Sequence, residues 1–465
     1  MYELSLFIFR RDLRIQDNTA LNKALEESKI VIPLFIFTPA QVSDENKYKS
    51  SNAIHFMIES LYDLDHQIQF SNNRCQLWTI YSDEIDAIQK IMDHHTIDAI
   101  YLNQDYTPYA INRDRRIQKF CNKNNIHFHQ FNDVLLLDTF DIYTNNGNPY
   151  YIFTQFYHKA LKIPIRKPKR NNHHNFKPLT NKFKKWTIER IDHYLLSQNF
   201  YQINKNIAVN GGRKNAKKIL IHILKFKKYN KIKDILSIKT TMLSAHNKFG
   251  TVSIREVYYS FQKTKNDDLL KNLYWRDFYY YVSTKFPNFY HYQHIKNPVK
   301  KIKWENNFKH LNAWKSATTG FPIVDAAMRQ LNTSGFMHNR GRLIVSQFLV
   351  KDLLINWKYG ERYFSTKLVD IDRAQNVGNW NWSSSFGLDN TPFLRIFNPW
   401  TQSLQFDKNC EYIKHWIPEL QGVPNDHIHR WYKYYSSYPE ITYPKPIIDH
   451  NIQRKKFIKF YKHYF

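Results

Sequence analysis

Two hydrophobic periods alternate over the first 135 residues, and this alternation constrains the fold more than any other feature of the sequence. Five short apolar runs are typical of buried strands: Leu4–Phe9, Ile30–Phe37, Leu77–Tyr81, Ala99–Asn103 and Ile126–Phe131. Between the second and third runs, apolar residues recur at the spacing of one helix face: Ile54, Met57, Ile58, Leu61 and Leu64. Strands that alternate with helices predict a parallel α/β sheet covered by helices. Neither a GxGxxG nor a GxxxxGKS/T motif occurs, so the fingerprints of Rossmann-type dinucleotide binding and of P-loop phosphate binding are absent.

The pattern changes twice after residue 135. Turn residues and prolines mark residues 136–205, which we predict to be a long irregular linker with a basic run at Ile165–Arg170. From residue 206 onward helical periodicity takes over, as in a helix that should end in a turn at Asn332–Gly335. Another helix is predicted to run through Phe348–Trp357. The expected organisation is an α/β domain at 1–135, a linker at 136–205 and a larger all-helical domain at 206–465.

The chain is strongly basic. It carries 68 Lys and Arg against 40 Asp and Glu, which leaves a formal net charge of +28. An excess of this size favours a polyanionic partner, either a nucleic acid or an acidic membrane surface. A proteome biased toward lysine would give the same charge, so charge alone leaves both interpretations open. Hydrophobic residues make up 42% of the chain, which allows a sizeable core and argues against global disorder.

The three cysteines, Cys75, Cys121 and Cys410, lie far apart and form no CxxC pair. This pattern argues against a disulfide framework, a structural zinc and a four-cysteine iron–sulfur cluster, and we predict no metal site. The first apolar run is too short for a signal peptide, and no stretch approaches the roughly 18 apolar residues of a membrane span. We therefore expect a soluble intracellular protein with no membrane partner, in the cytoplasm or the nucleus.

Tryptophan is concentrated in the helical half. Nine of the 11 tryptophans fall between Trp275 and Trp431, among many Arg and Lys residues. Core packing explains most single tryptophans. As a group, however, indoles stack on nucleobases and flavins and can conduct electrons, and basic grooves with interleaved aromatic residues are typical of nucleic-acid binding.

Seven segments, in one order along the chain, resemble the photolyase/cryptochrome family. They are Phe7–Leu21 (FIFRRDLRIQDNTAL), Thr240–Gly250, Leu273–Tyr280, Gly320–Arg342, Phe348–Trp357, Asp370–Trp382 and Phe393–Pro399. The pattern is most similar to the class I cyclobutane-dimer photolyases. The resemblance implies an N-terminal antenna-type α/β domain, a long linker and a helical domain that binds FAD. It also implies light-driven repair of cyclobutane pyrimidine dimers in UV-damaged DNA, by electron transfer from excited, reduced FAD to a flipped-out dimer.

The resemblance places the cofactor contacts in the helical domain. It implies a loop around Thr240 that holds the FAD diphosphate, and a flavin edge at which Asn376 faces flavin N5. The full set of implied cofactor residues is Tyr229, Thr240, Thr241, Leu243, Ser244, Arg276, Asn339, Arg342, Asp370, Asp372 and Asn376. We expect Arg342 to form an ion pair with Asp370. A helix N-cap is the structural alternative for Ser244, and an acidic helix start is the alternative for the flavin-edge segment.

The resemblance also gives roles to electron-transfer and lesion residues. Trp380, Trp357 and Trp304 match a tryptophan chain from the flavin to the surface, for which core packing is the alternative at Trp357. Trp275 and Trp382 match two indoles that pack on the dimer. The implied lesion and DNA residues are Asn272, Trp275, Asn339, Arg340, Leu343 and Trp382.

Some positions depart from the class I pattern. Asn272 stands where the family has a glutamate that contacts the carbonyl edge of the dimer. The amide is neutral and one methylene shorter, so we expect repair to be reduced rather than lost. Phe336, Gly341 and Leu343 also differ from the family residues, which leaves the exact lesion preference open.

The identity of a second, light-harvesting chromophore is open. The family's Asn–Glu pair that grips a folate appears here as Tyr109–Ala110. The sequence therefore argues against a folate antenna and leaves a deazaflavin, or no antenna, as alternatives.

Four other functions remain to be weighed. A cryptochrome-like photoreceptor would share the fold and FAD, and a (6-4) photolyase needs two histidines where this chain has His338–Asn339. An aminoacyl-tRNA synthetase would need HIGH- and KMSKS-like motifs, which are absent. A non-catalytic DNA-binding module is the simplest alternative. We expect a monomer that acts on damaged DNA without a protein partner.

Overall fold

The N-terminal part is a five-stranded parallel sheet. The computed structural model describes residues 1–71, 73–138, 141–286, 288–291, 302–385, 387 and 394–464. The strands are β1 (Tyr2–Phe9), β2 (Ser28–Phe37), β3 (Trp78–Tyr81), β4 (Ala99–Asn103) and β5 (His127–Phe131). All neighbours are parallel, in the order β3-β2-β1-β4-β5. The five predicted strands are thus confirmed within about two residues at each end.

Both faces of the sheet are buried along most of β1 to β4, which explains why these strands are mostly apolar runs, whereas the edge strand β5 (HFHQF) has no buried residue. In β1, Phe7 and Phe9 pack on one face while Leu6 and Ile8 pack on the other, because successive side chains of a strand alternate. The covering helices are α1 (Thr19–Glu27), α2 (Pro39–Val42), α3 (Ser51–Ser71), α4 (Glu84–Met92) and α5 (Pro108–Lys123). The predicted helix face lies in α3, and its apolar residues are buried.

The predicted linker region contains regular structure. It holds α6 (Phe153–Ala160), α7 (Ile188–Ser197) and a 3₁₀ turn at Asn181–Trp186. Phe176 extends the sheet by a parallel bridge to Val31. The chain therefore runs beside β2 for a few residues before it enters the helical part.

The remainder of the described chain is helical. Its α-helices are α8 (Arg213–Ile221), α9 (Tyr229–Ile232), α10 (Ser244–Phe249), α11 (Ile254–Gln262), α12 (Asp267–Lys285), α13 (Phe308–Ser316), α14 (Pro322–Ser334), α15 (Asn339–Gln347), α16 (Trp357–Lys367), α17 (Arg373–Ser383), α18 (Pro399–Phe406), α19 (Glu411–Trp416), α20 (Asn425–His429), α21 (Trp431–Tyr434) and α22 (His450–Tyr464). Short 3₁₀ turns lie at Ile223–Phe226, Phe289–His291, Pro418–Leu420 and Tyr435–Ser437. In the described parts of the chain, no helix has the length and apolarity that crossing a membrane requires.

Two helix predictions from the sequence have different outcomes. The helix that was expected to end near residue 335 is α14, and Gly335 stops it in a left-handed conformation with φ of 66°. The prediction of one helix through Phe348–Trp357 is wrong. Residues Phe348–Asp352 form a π-helical turn, Leu354 has a φ of +50°, and Trp357 begins the separate helix α16. The apolar spacing is the same in both arrangements, so periodicity could not reveal the break.

Buried ion pairs join the sheet to the helices. Arg255 of α11 lies 2.7 Å from Asp17 and 2.7 Å from Asp133, both of which belong to the sheet domain. Arg14 lies 2.6 Å from Asp133, and each of these side chains is at most 4% exposed. Charges buried in this way need their partners, so the two parts are held in one relative position.

Candidate active site

A cavity of about 460 Å³ opens within the helical part. Its walls come from the segment after α9, from α12, from α15 and from α17. It is lined by every predicted cofactor and lesion residue except Arg340, and by Trp380. Residues up to 153 positions apart are thereby brought together, from Tyr229 to Trp382.

Helix α17 forms the wall that carries the predicted flavin edge. Asp372 is its N-cap, and its Oδ1 accepts from the backbone N–H of Gln375 at 3.2 Å. Asn376 and Trp380 follow at intervals of four residues and share one face of the helix. Gly378 lets α12 approach closely, because a Cβ there would lie 2.2 Å from the ring of Tyr279.

Hydrogen bonds to residues of α16 fix the orientation of the Asn376 side chain. Its Nδ2 donates to Oε1 of Glu361 at 2.8 Å and to Oγ of Ser365 at 3.0 Å. Glu361 is fully buried. Reversing the amide would place its oxygen against a carboxylate, so the carbonyl oxygen is the atom that Asn376 can turn toward the cavity. Sequence reasoning missed Glu361, whose partner lies 15 positions away on another helix.

The predicted ion pair between Arg342 and Asp370 is present. Nη2 of Arg342 lies 2.8 Å and 3.1 Å from the two carboxylate oxygens. Nε of the same guanidinium donates to the carbonyl of Met337 at 2.9 Å. Since the Asp370 side chain is only 3% exposed, this pair is the main compensation for its burial.

The segment before α10 presents hydroxyl groups to the cavity. Ser244 is the first residue of α10, and the cap position is Leu243, so the alternative in which Ser244 caps the helix is wrong. The hydroxyls of Thr240, Thr241 and Ser244 make no hydrogen bond within the described residues. Asn247 also lines the cavity, and its Oδ1 is buried without a partner among the described residues. The three hydroxyls are available to a polar ligand.

Two further predicted cofactor residues already have protein contacts. Arg276 is buried, and its Nη1 donates to the carbonyl of Val134 at 2.8 Å. The hydroxyl of Tyr229 accepts from Nδ2 of Asn272 at 3.3 Å. Asn272 is exposed, so this bond joins the cofactor set to the lesion set at the rim of the cavity.

The part of the cavity that carries the predicted lesion residues is aromatic and open. The half-buried ring of Trp275 stacks on Phe153 of α6, with centroids 3.6 Å apart and planes 8° apart. Trp382 and Leu343 are half-buried, and Asn339 is exposed. These surroundings leave apolar faces accessible beside polar groups.

Arg340 does not line the cavity. Its guanidinium forms an ion pair with Asp234 at 2.7 Å and lies 4.1 Å from the centroid of Phe406. The neighbouring His338 is buried and caps α15 by accepting from the backbone N–H of Arg340. Burial lowers the pKa of His338 to about 4, so this histidine is neutral at pH 7.

The three tryptophans of the predicted electron route lie at different depths. Trp380 and Trp357 are buried, and Trp304 is half-buried beside Phe460 of α22 at 5.2 Å. Trp314, which sequence reasoning missed, is fully buried, and its ring centroid is 6.3 Å from that of Trp380. The order of electron transfer through these rings remains a prediction.

Comparisons with known proteins agree on one family. Residues 5–173 match the family described as DNA photolyase, and residues 269–463 match the FAD binding domain of DNA photolyase. The deoxyribodipyrimidine photo-lyase of Buchnera aphidicola subsp. Acyrthosiphon pisum is 36% identical, over 98% of this chain and 96% of its own length. An archaeal photolyase structure from Sulfolobus tokodaii, with two FAD molecules, superposes with a TM-score of 0.88 at 36% identity, over 99% of this chain and 100% of its own. A Synechocystis cryptochrome has a TM-score of 0.86 at 24% identity, over 99% of each chain, and this likeness shows the fold alone.

Proposed function

The chain belongs to the DNA photolyase family, and from this premise we propose that it is a deoxyribodipyrimidine photo-lyase that repairs cyclobutane pyrimidine dimers in DNA under light. The observation that carries the proposal is that one cavity collects the residues expected to hold FAD and those expected to hold the dimer. When bound, reduced FAD supplies the excited-state electron that opens the cyclobutane ring. The side chains of this chain would bind and orient FAD and the dimer, and would exclude water from the cavity.

The residues present fit an FAD. Free hydroxyls at Thr240, Thr241 and Ser244 suit a diphosphate, and the helix behind them is too short for its dipole to contribute much. On α17, Asn376 offers a carbonyl oxygen, which suits an N–H group of a reduced flavin ring. The ion-paired Asp370 adds a fixed negative charge nearby.

The lesion would lie between Trp275 and Trp382. A dimer leaves the duplex more readily than a normal base pair, and an apolar slot excludes the water that would otherwise surround it. Asn339 and Asn272 supply amides at the rim for its polar edge. Asn272 offers a donor without a negative charge, which is why we propose a lower repair yield than a glutamate would give.

We propose that electrons reach the flavin site through Trp380, Trp357 and Trp304. The support is their depth in the protein, since two are buried and Trp304 is half-buried. A reductant in solution can approach only the last of them.

The geometry of His338 argues against (6-4) repair. That reaction needs histidines beside the lesion, but among the described residues that line the cavity none is a histidine. His338 instead caps α15 and is held neutral by burial, which lowers its pKa to about 4. A photoreceptor role has weaker support, because the lesion-slot residues are retained.

The antenna remains a separate question. Ala110, at the position of the family's folate-gripping glutamate, is buried at the start of α5. Tyr109 donates its hydroxyl to Glu84 at 2.9 Å. We propose that this chain uses no folate there. A deazaflavin, a second FAD as in the archaeal relative, and no antenna are distinguished by extracting the purified protein and identifying its chromophores.

The experiment that tests the function is repair of a thymine-dimer oligonucleotide by the reduced protein, in light and in darkness. We expect flavin absorption in the purified protein and loss of dimers only under illumination. A protein that takes up no flavin, or repairs equally in the dark, contradicts the proposal. Sedimentation of the same sample with and without damaged DNA tests the proposal that a monomer acts without a protein partner.

A further inference from the structure

The loop that follows β1 contains two neighbouring arginines, whose side chains form ion pairs with different parts of the protein. Nη1 of Arg10 lies 2.5 Å from Asp114 of α5, within the sheet domain. Nη2 of Arg11 lies 2.7 Å from Oδ2 of Asp372, 361 positions away in the helical part. Family resemblance marked this loop as similar but gave Arg11 no role.

Asp372 performs two tasks at once. Its Oδ1 caps α17 through the backbone N–H of Gln375, and its Oδ2 accepts from Arg11 and from the hydroxyl of Tyr280. Both carboxylate oxygens are therefore occupied, and the carboxylate cannot rotate without losing a bond. Asn376, Trp380 and Trp382 all belong to α17. The position of Asp372 therefore determines where the helix starts and where these side chains lie.

The pair between Arg11 and Asp372 is buried, with side chains 8% and 2% exposed. Burial would raise the pKa of the Asp372 carboxyl, but the charge of Arg11, followed by that of Lys248, holds it below its ordinary value. Arg11 is itself held by Asp105 at 3.1 Å and by the carbonyl of Lys248 at 3.3 Å. The charged and titratable groups around the carboxylate are Arg11, Asp105, Lys248, Arg276, Tyr280 and Tyr290.

The same loop also contacts α10, a second helix whose residues line the cavity. The backbone N–H of Leu13 donates to the carbonyl of Phe249 at 3.0 Å, at the end of α10. The next residue, Gly250, has a φ of +62°, and a Cβ there would lie 2.3 Å from the carbonyl oxygen of Arg11. One loop of the sheet domain therefore contacts both α10 and α17.

We propose that Arg11 is a positioning residue of the active site, which fixes the start of α17 through Asp372 and so makes FAD binding depend on the docked sheet domain. The proposal rests on the proposed function, because it takes the cavity to be the FAD site. Arg11 acts through Asp372 and need not touch the cofactor.

The first test compares FAD affinity in full-length Arg11→Ala and Arg10→Ala, measured by titrating the apoprotein with FAD. We expect at least a tenfold loss for Arg11→Ala and less than a twofold change for Arg10→Ala. The second variant is a matched control, because Arg113 also lies 2.9 Å from Asp114 and keeps that carboxylate paired. Equal losses in both variants, or no loss in Arg11→Ala, would overturn the proposal. Wild-type protein that binds no FAD would instead refute the proposed function itself.

A double-mutant cycle separates positioning from general destabilisation. Asp372→Asn keeps an oxygen for the helix cap but removes the charge that Arg11 meets. If Arg11 acts through Asp372, the double variant should bind FAD less than threefold more weakly than Asp372→Asn alone. Independent, multiplicative losses would overturn the proposal. Arg11→Lys, which keeps the charge, should recover part of the affinity even where Arg11→Ala folds poorly.

The pH dependence provides a readout that a merely structural role would not change. Without Arg11, the buried Asp372 carboxyl should have a higher pKa and take up a proton as the pH falls from 7 to 5. Lys248, whose pKa burial lowers to about 8, stays largely protonated throughout this range. We expect FAD affinity to be flat over this range in wild type and to change at least threefold in Arg11→Ala. Parallel pH profiles would contradict the proposal.

Discussion

The two ends of the cavity are built differently. At the proposed flavin end, the Asp370 carboxylate and the Asn376 amide are buried and already paired with other parts of the protein. Arg342 holds Asp370 and Glu361 holds Asn376, so the carboxylate and the amide keep fixed directions. Buried, paired groups rotate little, and this end is organised before a ligand arrives.

At the lesion end the side chains are exposed or half-buried. Trp275 has one face covered by Phe153, while Trp382 is half-buried and Asn272 and Asn339 are exposed. We expect damaged DNA to supply the contacts that these side chains lack within the protein. It follows that substitutions at the flavin end should weaken both folding stability and FAD binding. Substitutions at the lesion end should weaken DNA binding alone.

The largest expected effect comes from Arg342→Ala. It leaves the Asp370 carboxylate buried without its partner, and breaking a buried pair costs about 3 kcal/mol or more. We expect the free energy of unfolding of the apoprotein to fall by about this amount, and FAD affinity to fall more than tenfold. Urea unfolding and FAD titration measure the two quantities.

Arg362→Ala is the control for this prediction. Arg362 is an exposed arginine of α16, and its removal should change stability by less than about 0.5 kcal/mol. If Arg342→Ala were equally harmless, the flavin end would not be organised by its ion pair, and the contrast between the two ends would fail.

The second effect concerns the lesion end alone. Trp275→Ala and Trp382→Ala each remove a stacking surface, which is worth about 1–3 kcal/mol per base. We expect affinity for a dimer-containing oligonucleotide to fall roughly 5- to 150-fold, with FAD affinity within twofold of wild type. Filter binding on damaged and undamaged strands measures the first quantity. A loss of FAD in either variant would show that the two ends are not separable.

The sequence predicted the fold well where structure is local. Strands β1 to β4 are mostly apolar runs because both faces are covered, and such runs are visible without any partner. The break at Leu354 was missed because a positive φ leaves no mark on apolar spacing. Residues 136–205 contain helices that turn signals and prolines concealed.

The site was predicted by resemblance to motifs, which names residues that touch ligands but not the residues behind them. Arg11 and Glu361 were missed because their partners, Asp372 and Asn376, lie on other elements. Trp314 was missed for the same reason, since only folding places it beside Trp380. Arg340 lay in a matched motif, yet its pairing with Asp234 keeps it off the cavity wall.

The third prediction concerns pH. Burial lowers the pKa of His338 from 6.5 to about 4, so the unfolded chain binds more protons than the folded protein between these values. The stability due to neutral His338 is present above pH 6.5 and is lost as the pH falls toward 4. We expect a loss of about 1–2 kcal/mol between pH 7 and pH 5.

His338→Asn keeps a side-chain cap for α15 but removes the titrating group, so its stability should depend less on pH. His158→Asn, at an exposed position of α6, is the control and should follow wild type. The comparison is made by urea unfolding at several pH values. Parallel curves for wild type and His338→Asn would mean that this histidine is not held neutral, and would reopen the (6-4) alternative.

The smallest effect is expected at the rim, where the two ends meet. Asn272→Glu restores the longer, acidic side chain of the class I pattern at an exposed position beside Tyr229. The glutamate side chain reaches one methylene further toward the polar edge of the dimer and can hydrogen-bond to it, so repair per absorbed photon should rise about twofold. Dimer affinity should change by less than 1 kcal/mol, because one rim hydrogen bond is exchanged for another. Asn272→Gln, which adds the methylene without the acid, separates reach from charge. A lower repair yield in Asn272→Glu than in wild type would show that the surroundings of Asn272 have adapted to the neutral amide. The rim would then behave differently from both the flavin end and the lesion end.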